Sequence, residues 1–173
     1  SELKFFYGSG SFKAYYELGN SYMGLNDYDA AYDYYIEATK SNPNFIDPFY
    51  CICHILKKKH TSLDEFKSIM ESLFLDLPTS YATIADIFYN EGFYKISLEY
   101  IEKCAKSEIV TENLTMLKAK CFIRTNAFDE CINIDTIDET SPTYVHLSMY
   151  KALSSILNNN YDLASSTVGS FKE

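Results

Sequence analysis

Apolar positions near the start of the chain repeat with the period of an amphipathic helix. Tyr15, Leu18 and Tyr22 are three or four residues apart, and this spacing places them on one face of a helix. Ala31 and Tyr35 begin a second run with the same spacing. The pattern therefore predicts two amphipathic helices in the first quarter of the chain.

The residues between and after these runs indicate how the two helices are joined. Asn26 and Asp27 favour a turn, because their side chains hydrogen-bond to the neighbouring main chain. Pro43 stops the second helix, since proline lacks a backbone N–H and clashes with the preceding helical turn. Gly19 and Ala31 are small where two helix axes must approach closely. Together these features predict a helical hairpin.

A small residue recurs at the Gly19 position along the whole chain. The frame of the first hairpin, laid further along, places Cys53, Ala85, Ala119 and Ala152 at that position, with successive separations of 34, 32, 34 and 33 residues. A sustained period of this length is typical of repeat architectures, in which each unit buries its apolar face on its neighbours. The sequence therefore predicts five helical hairpins.

The first hairpin also resembles a known repeat family. The tetratricopeptide repeat pattern is W-x2-L-G-x2-Y, then A-x3-F, then P, and the chain has tyrosine at the Trp and Phe positions. The matching residues are Tyr15, Leu18, Gly19, Tyr22, Ala31, Tyr35 and Pro43. The resemblance implies an all-α fold, a right-handed α-α superhelix of about five hairpins, and a role in protein–protein interaction.

The period divides the sequence into successive units of one predicted domain, residues 1–173. Because Leu3 to Tyr7 are apolar without a complete hairpin, we expect the chain to be a piece of a longer protein. The predicted repeats cover approximately residues 12–45, 46–77, 78–111, 112–144 and 145–173.

The second unit departs most from the repeat pattern, because the position of Ala31 falls on Glu65. A second helix is nevertheless predicted from about Leu63 to Phe74, with a shifted phase. Ser62 supports this start, since a serine hydroxyl before a helix accepts a hydrogen bond from an otherwise unpaired backbone N–H.

The net charge and the lengths of the apolar runs argue against nucleic acid and membranes as partners. The formal charge of −9 disfavours nucleic acid and anionic membrane surfaces, because binding either one depends on Lys and Arg. No apolar run approaches the ~20 residues that span a bilayer, so membrane insertion is not expected.

Five cysteines lie inside helical patterns, which predicts reduced thiols and a cytoplasmic location.

The sequence carries no motif for catalysis, metal binding or cofactor binding. Cys51, Cys53 and His54 point to different faces of a helix, whereas a closed zinc site needs about four converging ligands. Cys53, Cys104 and Cys131 fall at small packing positions and are predicted to be core thiols. The chain has no nucleophile elbow, phosphate-binding loop or metalloprotease motif. We expect neither enzymatic activity nor a cofactor.

The resemblance also implies a set of partner-binding positions. In tetratricopeptide repeats, residues of each first helix line an inner groove that holds a peptide or a partner protein. Here these positions combine Tyr, Met, amide and charged side chains, which suits the grip of a peptide segment. The predicted binding residues are Lys13, Tyr16, Asn20, Met23, Tyr50, His54, Lys57, Asp86, Tyr89, Met116 and Lys120. The same register continues to His146, Met149 and Leu153.

One subfamily of these repeats holds the acidic C-termini of chaperones with a clamp of Lys, Asn and Arg. Asn20 matches one clamp position, but Tyr16, Cys51, Thr79 and Thr83 stand where the clamp needs Lys, Asn, Lys and Arg. A chaperone C-terminal peptide is therefore not the expected partner.

Two further functions fit a repeat region of this kind. Some bacterial family 2 glycosyltransferases are similar in carrying tetratricopeptide repeats after the catalytic domain, and this chain would then be a non-catalytic accessory region. Some Gram-positive regulators bind a signalling peptide inside such repeats, and the chain would then be a sensor region. These alternatives predict different neighbouring domains, because fold alone does not determine function.

Overall fold

The computed structural model describes residues 11–135 and 137–169, which contain ten helices and no strand. The predicted all-α architecture of successive helical hairpins is confirmed over these residues. The apolar segment from Leu3 to Tyr7 lies outside them. The helices are α1 (Ser11–Gly24), α2 (Tyr28–Ser41), α3 (Asp47–Lys58), α4 (Leu63–Ser72), α5 (Leu77–Asn90), α6 (Tyr94–Lys106), α7 (Glu112–Arg124), α8 (Phe128–Ile132), α9 (Tyr144–Leu157) and α10 (Tyr161–Gly169).

The helices pack in two compact units, with the boundary between Leu77 and Pro78. Helices α1 to α4 form the first unit and helices α5 to α10 form the second. In the first unit, Phe49 of α3 stacks on Phe74 with ring centroids 4.5 Å apart. In the second unit, Phe88 of α5 stacks on Tyr100 of α6 at 5.5 Å. A stacked aromatic pair thus ties α3 to the residues just after α4 in the first unit, and α5 to α6 in the second.

The same backbone turn closes all five hairpins. After each odd-numbered helix comes a residue with positive φ, and the next residue donates its backbone N–H to the carbonyl five positions earlier, at 2.7–3.2 Å. This is the Schellman ending of a helix, which favours Gly or Asn at the left-handed position. The positive-φ residues are Asn26, His60, Gly92, Asn126 and Asn159. Their spacing equals that of the small positions, so the repeat is present in the backbone as well as in the sequence.

The predicted turn at Asn26 and Asp27 is confirmed in detail. Asn26 has a φ of 59°, and the Asp27 carboxylate accepts a hydrogen bond from the backbone N–H of Ala30 at 3.1 Å. Asp27 therefore caps α2, and this satisfies a donor that the first helical turn leaves unpaired.

The small positions are buried where helices cross. Gly19, Cys53, Ala85, Ala119 and Ala152 are all buried. In the first hairpin the space beside Gly19 is filled by the ring of Tyr35, whose nearest atom lies 2.5 Å from where a Cβ at residue 19 would be. Glycine is therefore required here by packing against the second helix.

Replacing Gly19 by Ala is expected to lower the free energy of unfolding by about 1–2 kcal/mol. Overpacking against the buried Tyr35 ring costs roughly 1–3 kcal/mol, and the higher helix propensity of alanine recovers up to about 1 kcal/mol. Urea unfolding of the purified chain measures the difference. Gly24→Ala is the matched control, because a Cβ at residue 24 meets no atom within 4 Å. A Gly19→Ala chain as stable as the Gly24→Ala chain would contradict the packing argument.

The irregular second hairpin keeps its helix with the shifted phase that the sequence predicts. The Ser62 hydroxyl accepts a hydrogen bond from the Glu65 N–H at 3.4 Å, so the predicted cap is confirmed. The buried residues of α4 are Phe66 and Met70, one position later than in the repeat pattern, and Glu65 is exposed. The helix ends at Ser72, two residues before the predicted end.

The cysteines at small positions are core thiols, as predicted. Cys53, Cys104 and Cys131 are fully buried, and so is Cys121 of α7. The Cys121 thiol donates to the Ser97 hydroxyl at 3.4 Å, and this hydroxyl donates to the carbonyl of Ala85 at 2.7 Å. One buried chain of hydrogen bonds therefore links α7, α6 and α5. Burial raises the pKa of the Cys104, Cys121 and Cys131 thiols.

Helix α8 is only five residues long, whereas α6 has 13. It ends at Ile132, and the sequence that follows is rich in Asp, Thr and Ile. Asp competes with the backbone for hydrogen bonds, and β-branched side chains lose rotamer freedom in a helix. The described residues between α8 and α9 are accordingly irregular.

A carboxylate of α7 anchors the end of this irregular segment. The Ser141 hydroxyl donates to Glu112 Oε2 at 2.6 Å, and the Thr143 hydroxyl donates to the same oxygen. These two hydrogen bonds lower the pKa of Glu112, because both stabilise the ionised carboxylate.

The contribution of Glu112 to stability should depend on pH. Because its pKa is lower in the folded chain than in the unfolded chain, the contribution is complete above the unfolded value of about 4.3 and is lost as the pH falls through the folded value. Glu112→Gln should therefore have a lower urea midpoint than wild type at pH 7, and the gap should narrow toward pH 3. Ser141→Ala keeps the carboxylate but removes one of its two hydrogen-bond donors. In the Ser141→Ala background, Glu112→Gln should therefore lower the urea midpoint at pH 7 by less than it does in wild type. A gap that is constant from pH 7 to pH 3 would contradict this account.

Candidate partner-binding site

Seven of the predicted binding residues lie on α1 and α3 of the first unit. Lys13 and Lys57 are exposed, and the other five are partly buried. These side chains include cationic, aromatic, amide and thioether groups, so they can make both polar and apolar contacts. The seven residues are Lys13, Tyr16, Asn20, Met23, Tyr50, His54 and Lys57.

Asn20 has an internal partner that sequence reasoning missed. Its side-chain carbonyl accepts a hydrogen bond of 2.8 Å from the hydroxyl of Tyr35, a buried residue of α2. Its amide nitrogen lies 3.5 Å from the Glu17 carboxylate. Asn20 therefore helps to hold Tyr35 in the core. The repeat pattern contained no signal for this bond, because the two residues are 15 positions apart.

Tyr16 lies beside the same buried group. Its ring centroid is 5.8 Å from that of Tyr35 and 5.1 Å from that of Phe45, with the Phe45 ring edge-on. Burial, with the neighbouring Cys51 thiol, raises the pKa of Tyr16 and of Tyr35. Both hydroxyls are neutral hydrogen-bonding groups at physiological pH, and only part of the Tyr16 side chain reaches solvent.

The other four predicted residues lie on α5 and α7 of the second unit, and all four are partly buried. The Asp86 carboxylate accepts a hydrogen bond of 3.0 Å from the Asn90 amide. The ring of Tyr89 lies 5.4 Å from that of Tyr94. Met116 packs against a buried cluster formed by residues of α7 and α9 and the segment around α8, so its thioether serves the core. The four residues are Asp86, Tyr89, Met116 and Lys120.

Comparison with known families settles the nature of the first hairpin. Residues 12–45 match the family model described as the tetratricopeptide repeat. These residues form a tetratricopeptide repeat. None of the curated proteins compared with the chain matches it. Tetratricopeptide repeats generally mediate protein–protein interaction.

The repeat register extends the candidate site to α9, where the exposed side chains, apart from His146, are apolar. Met149, Leu153 and Ile156 occupy the positions of Tyr16, Asn20 and Met23 in the tetratricopeptide repeat, and they are 58%, 42% and 46% exposed. Their spacing of four and three residues places them in one row on the helix. The register would have identified Ile156 as well, although it was not among the predicted residues.

This row differs from the scattered apolar side chains that any protein surface carries. Several large apolar residues in contiguous positions usually mark a site of association, whereas isolated ones need no explanation. Methionine adds adaptability, because its unbranched thioether chain adjusts to different partner surfaces. We call Met149, Leu153 and Ile156 the α9 row.

Residues 11–135 and 137–169 also bear on metal binding and membrane insertion. No group of three or more His, Cys, Asp or Glu side chains in these ranges could hold a metal ion. No helix in the same part of the chain is long and apolar enough to cross a membrane.

Proposed function

We propose that this chain is a non-catalytic protein-interaction module that binds a peptide, or a segment of a partner protein, on the first helices of its hairpins. The observation that carries the proposal is the α9 row, three large apolar side chains that are exposed. Their register corresponds to Tyr16, Asn20 and Met23 of residues 12–45, positions where the resemblance to tetratricopeptide repeats implies partner binding. An exposed row of this kind costs solubility unless a partner covers it.

The chemistry of the surface indicates the kind of segment that would bind. The α9 row offers apolar area, whose burial gives roughly 25 cal/mol per Å². Tyr50 and Tyr89 are partly buried tyrosines on α3 and α5, and tyrosine is enriched among the residues that dominate binding energy. Lys13 and Lys57 are exposed on α1 and α3 and favour acidic groups on the partner. We therefore expect apolar anchors in a segment that binds the second unit, and acidic groups in a segment that binds the first.

Replacing Tyr50 and Tyr89 together by Ala is expected to weaken binding at least tenfold. A probe is obtained by selecting peptides from a displayed random library on the full chain, and titration calorimetry then measures its affinity for each variant. Truncation of an aromatic hot spot typically costs 2 kcal/mol or more, which is a factor of about 30.

The control is Leu75→Ala, which removes a large side chain that is 90% exposed and lies between α4 and α5, outside the first helices. It should leave the affinity unchanged, and circular dichroism should show that both variants retain their helices. Equal affinity of the double variant and the wild type would exclude these tyrosines from the site.

A further inference from the structure

A cleft of about 670 Å³ lies in the second unit, beside the short helix α8. Ile101 of α6, Leu114 and Phe122 of α7, and Ile134 after α8 contribute apolar walls. None of the eleven predicted binding residues, and no member of the α9 row, lines this cleft. It is therefore distinct from the surface proposed above.

The shortness of α8 explains why the cleft exists. In a helical hairpin the last turns of the second helix lie opposite the first turns of the first helix. Helix α8 stops after five residues, so the first turns of α7, which carry Leu114, Thr115 and Lys118, border the cleft instead of further turns of α8. The eight residues by which α8 falls short of α6 correspond to about 12 Å of helix. The cleft thus marks the place of about two missing helical turns.

The charges at the edge of the cleft are mainly negative. Glu112, Glu130 and Asp135 line it together with one cation, Lys118. The Lys118 ammonium lies 5.8 Å from the centroid of the Phe122 ring, and the Glu112 carboxylate accepts the Ser141 and Thr143 hydroxyls. Glu130 and Asp135 are exposed. The edge therefore attracts a cation, whereas the walls attract apolar groups.

We propose that this cleft binds a two-turn amphipathic helical segment of a partner protein, with apolar side chains on one face and a Lys or Arg at the edge. The segment takes the place of the missing turns of α8. Apolar residues at i, i+4 and i+7 contact α6 and α7, which is the usual pattern when a helix docks in a groove. The basic residue lies against Glu130 and Asp135.

Helical peptides of defined charge test this proposal directly. The probes are nine-residue peptides held helical by a side-chain staple, with Leu at positions 1, 5 and 8 and Lys at two edge positions. A matched series carries Glu at the same edge positions. Fluorescence polarisation with the full chain should show at least tenfold tighter binding of the Lys series, and the preference should weaken as salt screens the charges. Glu130→Lys with Asp135→Lys should reverse the preference.

The location of binding is read from isoleucine methyl groups. In ¹³C-methyl-labelled protein, the Lys peptide should shift the signals of Ile101, Ile109, Ile134 and Ile137, which line the cleft. Signals of Ile52 and Ile84, which are buried elsewhere, should not move.

Filling the cleft should weaken peptide binding. Ala105 is an exposed residue of the lining, and Ala105→Trp should weaken the Lys peptide at least tenfold. The matched substitution Ala14→Trp, at an exposed alanine of α1, should leave it unchanged. The Tyr50→Ala, Tyr89→Ala variant should also bind the Lys peptide with wild-type affinity. A failure of the cleft proposal is therefore distinguishable from a failure of the proposed binding on the first helices.

Several results would overturn the proposal. These are no binding by either series, equal binding of the Lys and Glu series, or methyl shifts confined to isoleucines outside the cleft. Binding of the small apolar dye anilinonaphthalene sulfonate, lost in Ala105→Trp while no peptide binds, would assign the cleft to a small molecule. If Ala105→Trp fails to fold, the charge-reversed variant decides the outcome.

Discussion

Replacing Tyr35 by Ala is expected to lower the free energy of unfolding by about 3–5 kcal/mol, the usual cost of truncating a buried aromatic side chain. Tyr35 is 1% exposed, fills the space beside Gly19, and donates a hydrogen bond to Asn20. Its removal therefore leaves a cavity between α1 and α2, and the side-chain carbonyl of Asn20 loses its hydrogen-bond donor. Urea unfolding followed by circular dichroism measures the change.

Two controls separate the parts of this effect. Tyr35→Phe keeps the ring and should cost only about 0.5–1.5 kcal/mol, the net value of one hydrogen bond. Tyr161→Ala removes an exposed tyrosine and should change the stability by less than about 0.5 kcal/mol. A loss below about 1 kcal/mol for Tyr35→Ala would contradict the burial of this ring.

The effects on stability of substitutions at Gly19 and at Tyr35 should depend on each other, because the Tyr35 ring fills the space beside Gly19. In the Tyr35→Ala background, the added methyl group of Gly19→Ala no longer meets the ring, and helix propensity alone should make the substitution favourable by up to about 1 kcal/mol. The two changes are therefore expected to be strongly non-additive, as for residues in direct contact.

Replacing Met149 and Leu153 by Asp is expected to weaken the selected peptide about 100-fold or more, while the chain remains folded. Both side chains are exposed in the free protein, so the aspartates stay in water and cost little stability. In the complex they would bury charge against the apolar anchors of the peptide, which is unfavourable without a paired cation. Titration calorimetry on the full chain measures the affinity.

Leu75→Asp is the matched control for this substitution. Leu75 is 90% exposed and lies between α4 and α5, outside the first helices. The control should bind the selected peptide as wild type does. Loss of affinity in Leu75→Asp, or full affinity in the Met149→Asp, Leu153→Asp variant, would exclude the α9 row from the binding site.

The helical hairpins could be predicted from the sequence because their signals are local. Apolar residues every three or four positions, a Schellman residue such as Asn26, and a cap such as Asp27 act within a single turn or connection. Even the irregular α4 was predictable, since the Ser62 cap does not depend on the repeat pattern. The small position of Gly19 indicated close helix packing, although the ring that fills the space became visible only in the structure.

The features that the sequence did not reveal depend on distant residues. The hydrogen bond between Asn20 and Tyr35 joins two helices and gives a predicted binding residue a part in the core. The packing of Met116 likewise depends on where α9 and the segment around α8 come to lie. The cleft beside α8 follows from the length of one helix, and the run of Asp, Thr and Ile after Ile132 was a usable signal for its early end.

Photo-crosslinking locates a bound partner relative to the first and second helices. Benzoylphenylalanine is placed at Leu153 of α9 in one variant and at Leu163 of α10 in another, and each is irradiated with the selected peptide. Both side chains are exposed, so neither position biases the result by burial. If the partner binds the first helices, mass spectrometry will find a peptide adduct at residue 153 and little at residue 163. An adduct at residue 163 with none at residue 153 would contradict binding on the first helices.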